Sequence, residues 1–397
     1  MKSKVILIHR IFASYRKPIY DKLAEAHELL LLHGLNDKTI KQATTPYSQS
    51  IKAFQYSTNE THLFFQSFSD LFKYRPKAVI HEFAIGMLSL LPMYVCCKLL
   101  GTKFILYSHG YNRMTGFHPE KSWADKYRVF LMKLADAVII YTQSDKKRLS
   151  THVNSDKIFV AQNTLDTRHL VAIRNNLVQE GKEPLKQRIG FKYKYNLTFI
   201  GRLLDEKMPE TVLHVFDILQ KKLPNQVGIH FVGGGEMAHL QALVAEKQWQ
   251  NHVTFHGAVY DDQKSGAFLY ASDMMIMPGY LGLAVNHAFI FDCPVISFSQ
   301  TEKGPFHSPE IEYVVENETG FLIPDLSVEK MANAIVAYLQ NEPLQLKTKE
   351  NIRFKMENEL TIENMVKGFT DAIEYALQAK VASTSAEPVA SPSGELV

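Results

Sequence analysis

The chain is poor in the features that staple small secreted proteins or anchor membrane proteins. Its 397 residues include only three cysteines, Cys96, Cys97 and Cys293. Three thiols cannot build a disulfide framework, and so few of them fit a reducing compartment. Cys96 and Cys97 are adjacent, no C-x-x-C or H-E-x-x-H pattern occurs, and the 16 histidines are scattered. The expectation is therefore buried structural thiols and no bound metal. Long apolar runs are missing too. The N-terminus offers only Val5–Ile8, short of the roughly 7–15 apolar residues of a signal peptide. Phe83–Cys97, the longest uncharged stretch of the first half, contains Gly86 and Pro92. It falls short of the roughly 20 residues needed to cross a bilayer, so a cytoplasmic protein is expected. A glycine loop is absent after the first apolar run, where His9-Arg10-Ile11-Phe12 stands instead. That argues against an N-terminal dinucleotide site.

What is present is an ordinary globular balance, 46% hydrophobic and 21% charged, in a length that suits two or three domains. The net charge of +3 hides two opposed halves. Met1–Val178 carries 25 Lys+Arg and 13 Asp+Glu, or +12, whereas the remainder carries 19 and 28, or −9. A basic half suggests an anionic partner such as a membrane or nucleic acid, with uneven surface composition as the alternative.

Short apolar runs alternate with amphipathic stretches. Val5–Ile8, Leu29–Leu32, Ala78–His81, Phe104–Tyr107, Ala137–Tyr141 and Ile158–Ala161 read as strands. Leu197–Ile200, Gly228–Val232, Val253–Phe255, Met274–Met277, Pro294–Ser297 and Gly320–Ile323 read as a second set. Strand and helix in alternation imply α/β domains with mostly parallel sheets covered on both faces. The polar, basic stretch from Arg174 to Tyr195 shows no clear apolar period. This predicts a domain over residues 1–178, a linker over 179–195 and a domain over 196–361. A helix is expected over 362–378. Residues 380–397, rich in Ala, Ser, Pro and Glu, read as a disordered tail.

Ligands of open α/β sheets bind beyond the carboxyl ends of strands. After Leu197–Ile200 come Gly201-Arg202 and then Lys207. An Arg fork and a Lys point charge there can converge on a diphosphate, or can be a solvated loop pair. After Gly228–Val232 come Gly233, Gly234 and Gly235, a tight turn with or without a ligand beside it. After Met274–Met277 come Pro278, Gly279, Leu281, Gly282, Leu283 and His287. A helix starting at Gly282 or Leu283 would offer free amides to an anion, and His287 could meet a ligand hydroxyl or simply pack. In the first half, Ser108-His109-Gly110 follows a strand.

In this order, the Ser108-His109-Gly110, Phe199-Ile200-Gly201-Arg202 with Lys207, Val232-Gly233-Gly234-Gly235, Val253–Val259, Pro278–Val295 and Glu316–Ile323 segments resemble family 4 glycosyltransferases of the GT-B fold. The resemblance runs from about Lys4 to about Leu377. It implies two Rossmann-like, doubly wound parallel-sheet domains facing across a cleft. The donor nucleotide sugar would be held by the second domain and the acceptor by the first, with the final helix crossing back. Arg202 and Lys207 match the family's diphosphate pair. Ala258 and Val259 lie where the base is usually contacted, and His109 matches a histidine near the donor sugar. Glu310 is a further candidate near the donor. The pattern departs at one place: the family's two glutamates, eight residues apart, are Gly279 and His287 here. His287 would take over the ribose contact, while Gly279 offers no side chain to the donor sugar.

The activity implied is retaining transfer of a sugar from a nucleoside-diphosphate sugar to an acceptor hydroxyl, without cofactor or metal. The setting implied is bacterial cell-surface polysaccharide or lipopolysaccharide synthesis. A nucleotide-sugar epimerase of the same fold and a non-catalytic nucleotide-sugar-binding protein are the competing readings. Nucleic-acid binding lacks an aromatic-basic motif. With a saccharide or lipid-linked saccharide as acceptor, the basic half reads as a face for an anionic membrane, on the cytoplasmic side of the inner membrane. Arg10, Arg16, Lys17 and Lys22 are expected on it.

Overall fold

The computed structural model describes residues 2–34, 41–58 and 62–382. The chain divides into two compact units. One groups Met1–Gly110 and His118–Ala161 with the segment from Val366 onward; the other groups Tyr111–Phe117 with Gln162–Met365. The boundary thus falls near residue 161, earlier than the expected 178.

In the first unit the strands are β1 (Lys4–His9), β2 (Glu28–His33), β3 (Ser48–Ser50), β4 (Ala53–Ser57), β5 (His62–Gln66), β6 (Ala78–Glu82), β7 (Lys103–Tyr107), β8 (Ala137–Ile140) and β9 (Ile158–Val160). Seven of them form one parallel sheet in the order β3-β2-β1-β6-β7-β8-β9. Every residue of β1 after Lys4 is buried, as are all four of β8. Strands covered on both faces have no polar side to show, so they appear in the sequence as unbroken apolar runs. β4 and β5 pair separately as an antiparallel hairpin. Most of its residues are exposed, so burial left no pattern there to read.

The second unit contains β10 (Tyr195–Ile200), β11 (Val227–Val232), β12 (Val253–Gly257), β13 (Met274–Ile276), β14 (Val295–Phe298) and β15 (Gly320–Ile323). They form a parallel sheet in the order β12-β11-β10-β13-β14-β15. The helix Pro209–Lys222 buries Val212, Leu213, Val215, Phe216 and Leu219 against this core, each worth roughly 1.5–3 kcal/mol of transfer free energy. Its fixed-φ proline opens the first turn.

The expected linker over 179–195 is largely helical. Helices Thr167–Glu180 and Lys182–Ile189 meet at Gly181 (φ 85°), and the second stops at Gly190, whose left-handed φ of 78° suits only glycine well. Leu170, Ile173 and Leu177 are buried at helical spacing, with Leu185 beyond them. Even Arg174 is buried, 3.9 Å from Asp292 and 3.3 Å from Glu357. Three apolar residues diluted among charges carried the period, and the polar composition masked it. The final helix runs Ile362–Ala382; the expected tail lies, from residue 383, outside the described residues.

Both sheets reverse their winding direction at one point, between β1 and β6 and between β10 and β13. At such a switch point the loops leave in opposite directions and open a crevice at the carboxyl ends. Those two places are where the polar groups of each unit collect.

Candidate functional site

At the switch point of the second unit, glycines bring three strand ends together. The amide of Gly201 donates to Val232 at 2.8 Å, and that of Gly233 to Gly257 at 2.8 Å. A Cβ on Gly233 would stand 1.8 Å from the Gly201 carbonyl oxygen, so no side chain fits there. The ladder runs on as Leu203 donates to Gly234 at 2.8 Å and pairs with Gly235. Gly234 faces Ala258, whose Cβ would be 3.4 Å from an added methyl. Val259, next along, packs partly against the core.

Gly201 also makes room for a cation. Its φ is 136°, and a Cβ there would sit 2.6 Å from the Lys207 ammonium. Burial, followed by the positive charge of Arg202, pushes the Lys207 pKa below its ordinary value, with Glu206 pulling the other way. Arg202 is exposed. Among the described residues, neither Arg202 nor Lys207 makes a salt bridge. Two cations that repel one another beside backbone glycines make a place of positive potential, which favours an anion.

The Pro278–Leu283 loop closes the other side. Gly279 donates to the Lys207 carbonyl at 3.1 Å and Tyr280 to that of Glu206 at 2.7 Å. A Cβ on Gly279 would lie 2.2 Å from the Glu206 oxygen. Glycine at this position therefore holds the Glu206–Lys207 backbone directly. Leu281 is fully buried, and its amide donates to His307 Nδ1 at 3.1 Å. His307 Nε2 then carries the proton and donates to the Phe298 carbonyl at 2.9 Å. Burial lowers the His307 pKa to about 4, so it stays neutral in this latch. Gly282 and Leu283 lead into the helix Ala284–Ile290, with Leu283 as its N-cap. His287 lies edge-on to Phe291 at 5.5 Å, and burial lowers its pKa. Its Nε2 is buried with no partner among the described residues. Glu310, on the short 3₁₀ turn Pro309–Tyr313, is buried and accepts a hydrogen bond from the Asn163 amide.

The first unit carries a second polar cluster, at its own switch point. His9 ends β1 and Glu82 ends β6. Glu82 accepts from His9 Nδ1 at 3.2 Å and from the Arg10 guanidinium at 2.9 and 2.7 Å. Burial would raise the Glu82 pKa, but the hydrogen bond and charge of His9, then Arg10, outweigh it and hold the carboxyl well below its usual range. His9 Nε2 meets the Tyr20 hydroxyl at 2.5 Å. Arg16 is buried and donates to the Tyr141 hydroxyl at 3.2 Å. His9, Arg10, Arg16, Glu82, Tyr141 and His109 line a cavity of about 260 Å³. The His109 ring lies 4.8 Å from that of Tyr141, and Gly110 (φ 84°) turns the chain beside Asp145. Arg10 and Arg16, two of the residues expected on a lipid-facing surface, line this cavity, where Arg10 pairs with Glu82 and Arg16 meets Tyr141. Lys17 pairs with Asp21 at 2.6 Å.

Sequence reasoning brought Gly201, Arg202, Lys207, Gly233, Gly234, Gly279 and Leu281 to one end of one sheet. It missed His307 and Glu82. The signal for Glu82 was available: an acid at the carboxyl end of a buried strand. Among the described residues, no group of three or more His, Cys, Asp or Glu is placed to hold a metal ion.

Residues 182–355, which include the Arg202–Lys207 site, match the family model described as Glycosyl transferases group 1. An uncharacterized glycosyltransferase of Methanocaldococcus jannaschii, MJ1069, is 25% identical over 222 residues, 55% of this chain and 56% of that protein. The match therefore spans little more than half the length of this relative. The crystal structure of Anabaena HepE in complex with UDP superposes with a TM-score of 0.65 at 13% identity, covering 94% of this chain and 99% of that one. WaaG, a glycosyltransferase involved in lipopolysaccharide biosynthesis, superposes with a TM-score of 0.60 at 13% identity, covering 93% and 99%. The two parallel sheets, each wound about a switch point, have the GT-B fold, and residues 182–355 are similar to the group 1 glycosyl transferase domain.

Proposed function

We propose that the protein is a retaining glycosyltransferase of the family 4 type. It moves a sugar from a nucleoside-diphosphate sugar to the hydroxyl of a saccharide or lipid-linked saccharide. The observation that carries this reading is the Arg202–Lys207 pair, without a salt bridge among the described residues and set against the glycines that follow β10 and β11. In the reaction the bond from the anomeric carbon to the diphosphate oxygen breaks. A bond to the acceptor oxygen forms on the same face, and the acceptor proton passes to the leaving diphosphate. Negative charge grows on that diphosphate, where preorganised cations act most strongly. The scheme asks for no cofactor or metal, since Arg202 and Lys207 supply the positive charge.

The remaining roles follow the same layout. Ala258 and Val259 would flank the base, and the unpartnered Nε2 of His287 is available to a ribose hydroxyl. Gly279 serves by setting the position of Lys207. Glu310, already bonded to Asn163, would act through the loop it braces. His109 would contact the donor sugar, and the acceptor would lie in the first unit. UDP is the first nucleotide to try, because HepE was crystallised with it. The likeness to WaaG supports a place in cell-surface polysaccharide or lipopolysaccharide synthesis, and a lipid-linked acceptor would put the protein at the cytoplasmic face of the inner membrane. Among the described residues no helix is long and apolar enough to cross a membrane, so attachment would be peripheral.

A thermal-shift panel of UDP, GDP, ADP and CMP tests the reading, since a ligand of the folded state raises its apparent stability. A rise with one nucleoside diphosphate is expected. No response to any of them at millimolar concentration contradicts it.

A further inference from the structure

Two helices of the first unit turn apolar residues toward solvent. Leu90–Leu99 links β6 to β7, and Trp123–Leu134 lies between β7 and β8. These crossovers advance in the same direction across the sheet. Right-handed connections therefore place both helices on one face, as neighbours. Their C-terminal ends are tied together. Lys98 and Lys103 reach Asp136, two residues past the second helix, at 2.9 and 3.5 Å. The Lys157 ammonium donates to the carbonyls of Lys133 and Ala135 at 2.8 and 2.7 Å.

Each helix already has an inward face, formed by Leu90, Met93 and Cys97 in one and by Val129, Leu131 and Met132 in the other. A helix lying on a domain surface normally shows polar residues on the opposite side. Here Leu91, Val95 and Leu99 recur every fourth residue on the exposed side, and Leu99 is 81% exposed. On the second helix Trp123 is 71% exposed and stacks on Tyr127 with the ring planes 3° apart; Phe130, also exposed, follows one turn later. Single exposed apolar residues are ordinary, but two adjacent stripes mark an interaction surface.

The surrounding charge identifies what covers it. Lys98 and Lys103 pair with one carboxylate, Asp136, which also acts on the Lys157 ammonium. Asp125, the acid within the second helix, is buried against Arg128. The neighbouring helix Gln143–Leu149 ends in Lys146, Lys147 and Arg148. An apolar strip bordered by lysines matches a bilayer with anionic headgroups, whose acyl boundary accepts aliphatic and aromatic side chains while its phosphates meet the ammonium groups. We propose that this two-helix face docks the protein on an anionic lipid surface. The inference rests on the peripheral-membrane part of the functional reading and not on sugar transfer.

The test uses the full chain and vesicles of phosphatidylcholine with or without phosphatidylglycerol. Sedimentation should show binding that requires phosphatidylglycerol and weakens as salt rises. The chain has two tryptophans, so Trp249→Phe leaves Trp123 as the sole reporter. Its emission should shift to the blue on anionic vesicles. The double variant Leu99→Ser/Trp123→Ser should lower vesicle partition at least about tenfold and leave UDP binding unchanged. Loss of the UDP response with vesicle binding intact would instead count against the transferase reading alone. The docking proposal is overturned if the wild type ignores anionic vesicles, if the double variant binds them equally, or if Trp123 emission does not move. It is also overturned if the wild type is a dimer that the double variant dissociates while neither binds vesicles, which would assign the face to a second copy. Should the double variant melt early, the Trp123 emission in the otherwise native chain decides.

Discussion

Gly279 lies directly against the main chain of Lys207, donating its amide to the Lys207 carbonyl at 3.1 Å. The contact leaves no space for a side chain, since a Cβ would lie 2.2 Å from the neighbouring Glu206 oxygen. Gly279→Ala should therefore push the Glu206–Lys207 segment away. The strain should lower stability by about 2 kcal/mol, as overpacking usually does, and nucleotide affinity should fall with it. Chemical denaturation and a UDP titration check both parts. Native stability with native affinity would show that the contact is not what places Lys207.

His307 links two segments through one ring, the Leu281 amide and the Phe298 carbonyl. His307→Leu leaves both buried groups without this partner. The expected loss is about 3 kcal/mol, the sum of two modest penalties for unmade hydrogen bonds. Denaturation at pH 8, where the wild-type ring is neutral, measures it without interference from titration.

The buried histidines set an acid limit. Burial lowers His81 and His307 to about 4 and His230 to about 3. In the unfolded chain each titrates near 6.5. Below that value the unfolded state takes up protons that the folded state refuses, so stability falls as pH falls. The loss begins near pH 6.5 and continues to about pH 4, at up to about 1.4 kcal/mol per pH unit for each histidine. Stability curves from pH 8 to 4 should slope downward toward acid. A flat profile would contradict the buried, neutral assignment.

In the first unit Glu82 gathers His9 and Arg10 at the cavity that His109 also lines. Glu82→Gln preserves the shape and removes the charge. Hydrogen bonds to a charged group are worth about 2 kcal/mol, and a comparable loss of stability is expected. Transfer should slow while UDP affinity, a property of the second unit, stays as in the wild type. An equal fall in UDP affinity would contradict the separation of roles.

Most of the sheet framework was legible because doubly covered strands are continuous apolar runs, as in Val5–Ile8 and Ala137–Ile140. The phosphate-side candidates were legible because Gly201, Arg202 and Gly233 directly follow such runs. Three things were not. Leu170, Ile173 and Leu177 carry a helical period too sparse to stand out from the charges around it. The ring of His307 acts through two backbone groups, 26 and 9 residues away in sequence, which no local pattern records. Leu90–Leu99 is apolar all round, so the sequence could not tell the buried Leu90, Met93 and Cys97 from the exposed Leu91, Val95 and Leu99.

The central claim is that Arg202 and Lys207 stabilise a leaving diphosphate. The most direct measurement is the rate of sugar transfer by Arg202→Ala and Lys207→Ala beside the wild type, with a donor the wild type is known to use. Each substitution should slow transfer by about a hundredfold, as loss of one charge-stabilising donor does, with the fold intact. Wild-type rates in both variants would contradict the claim.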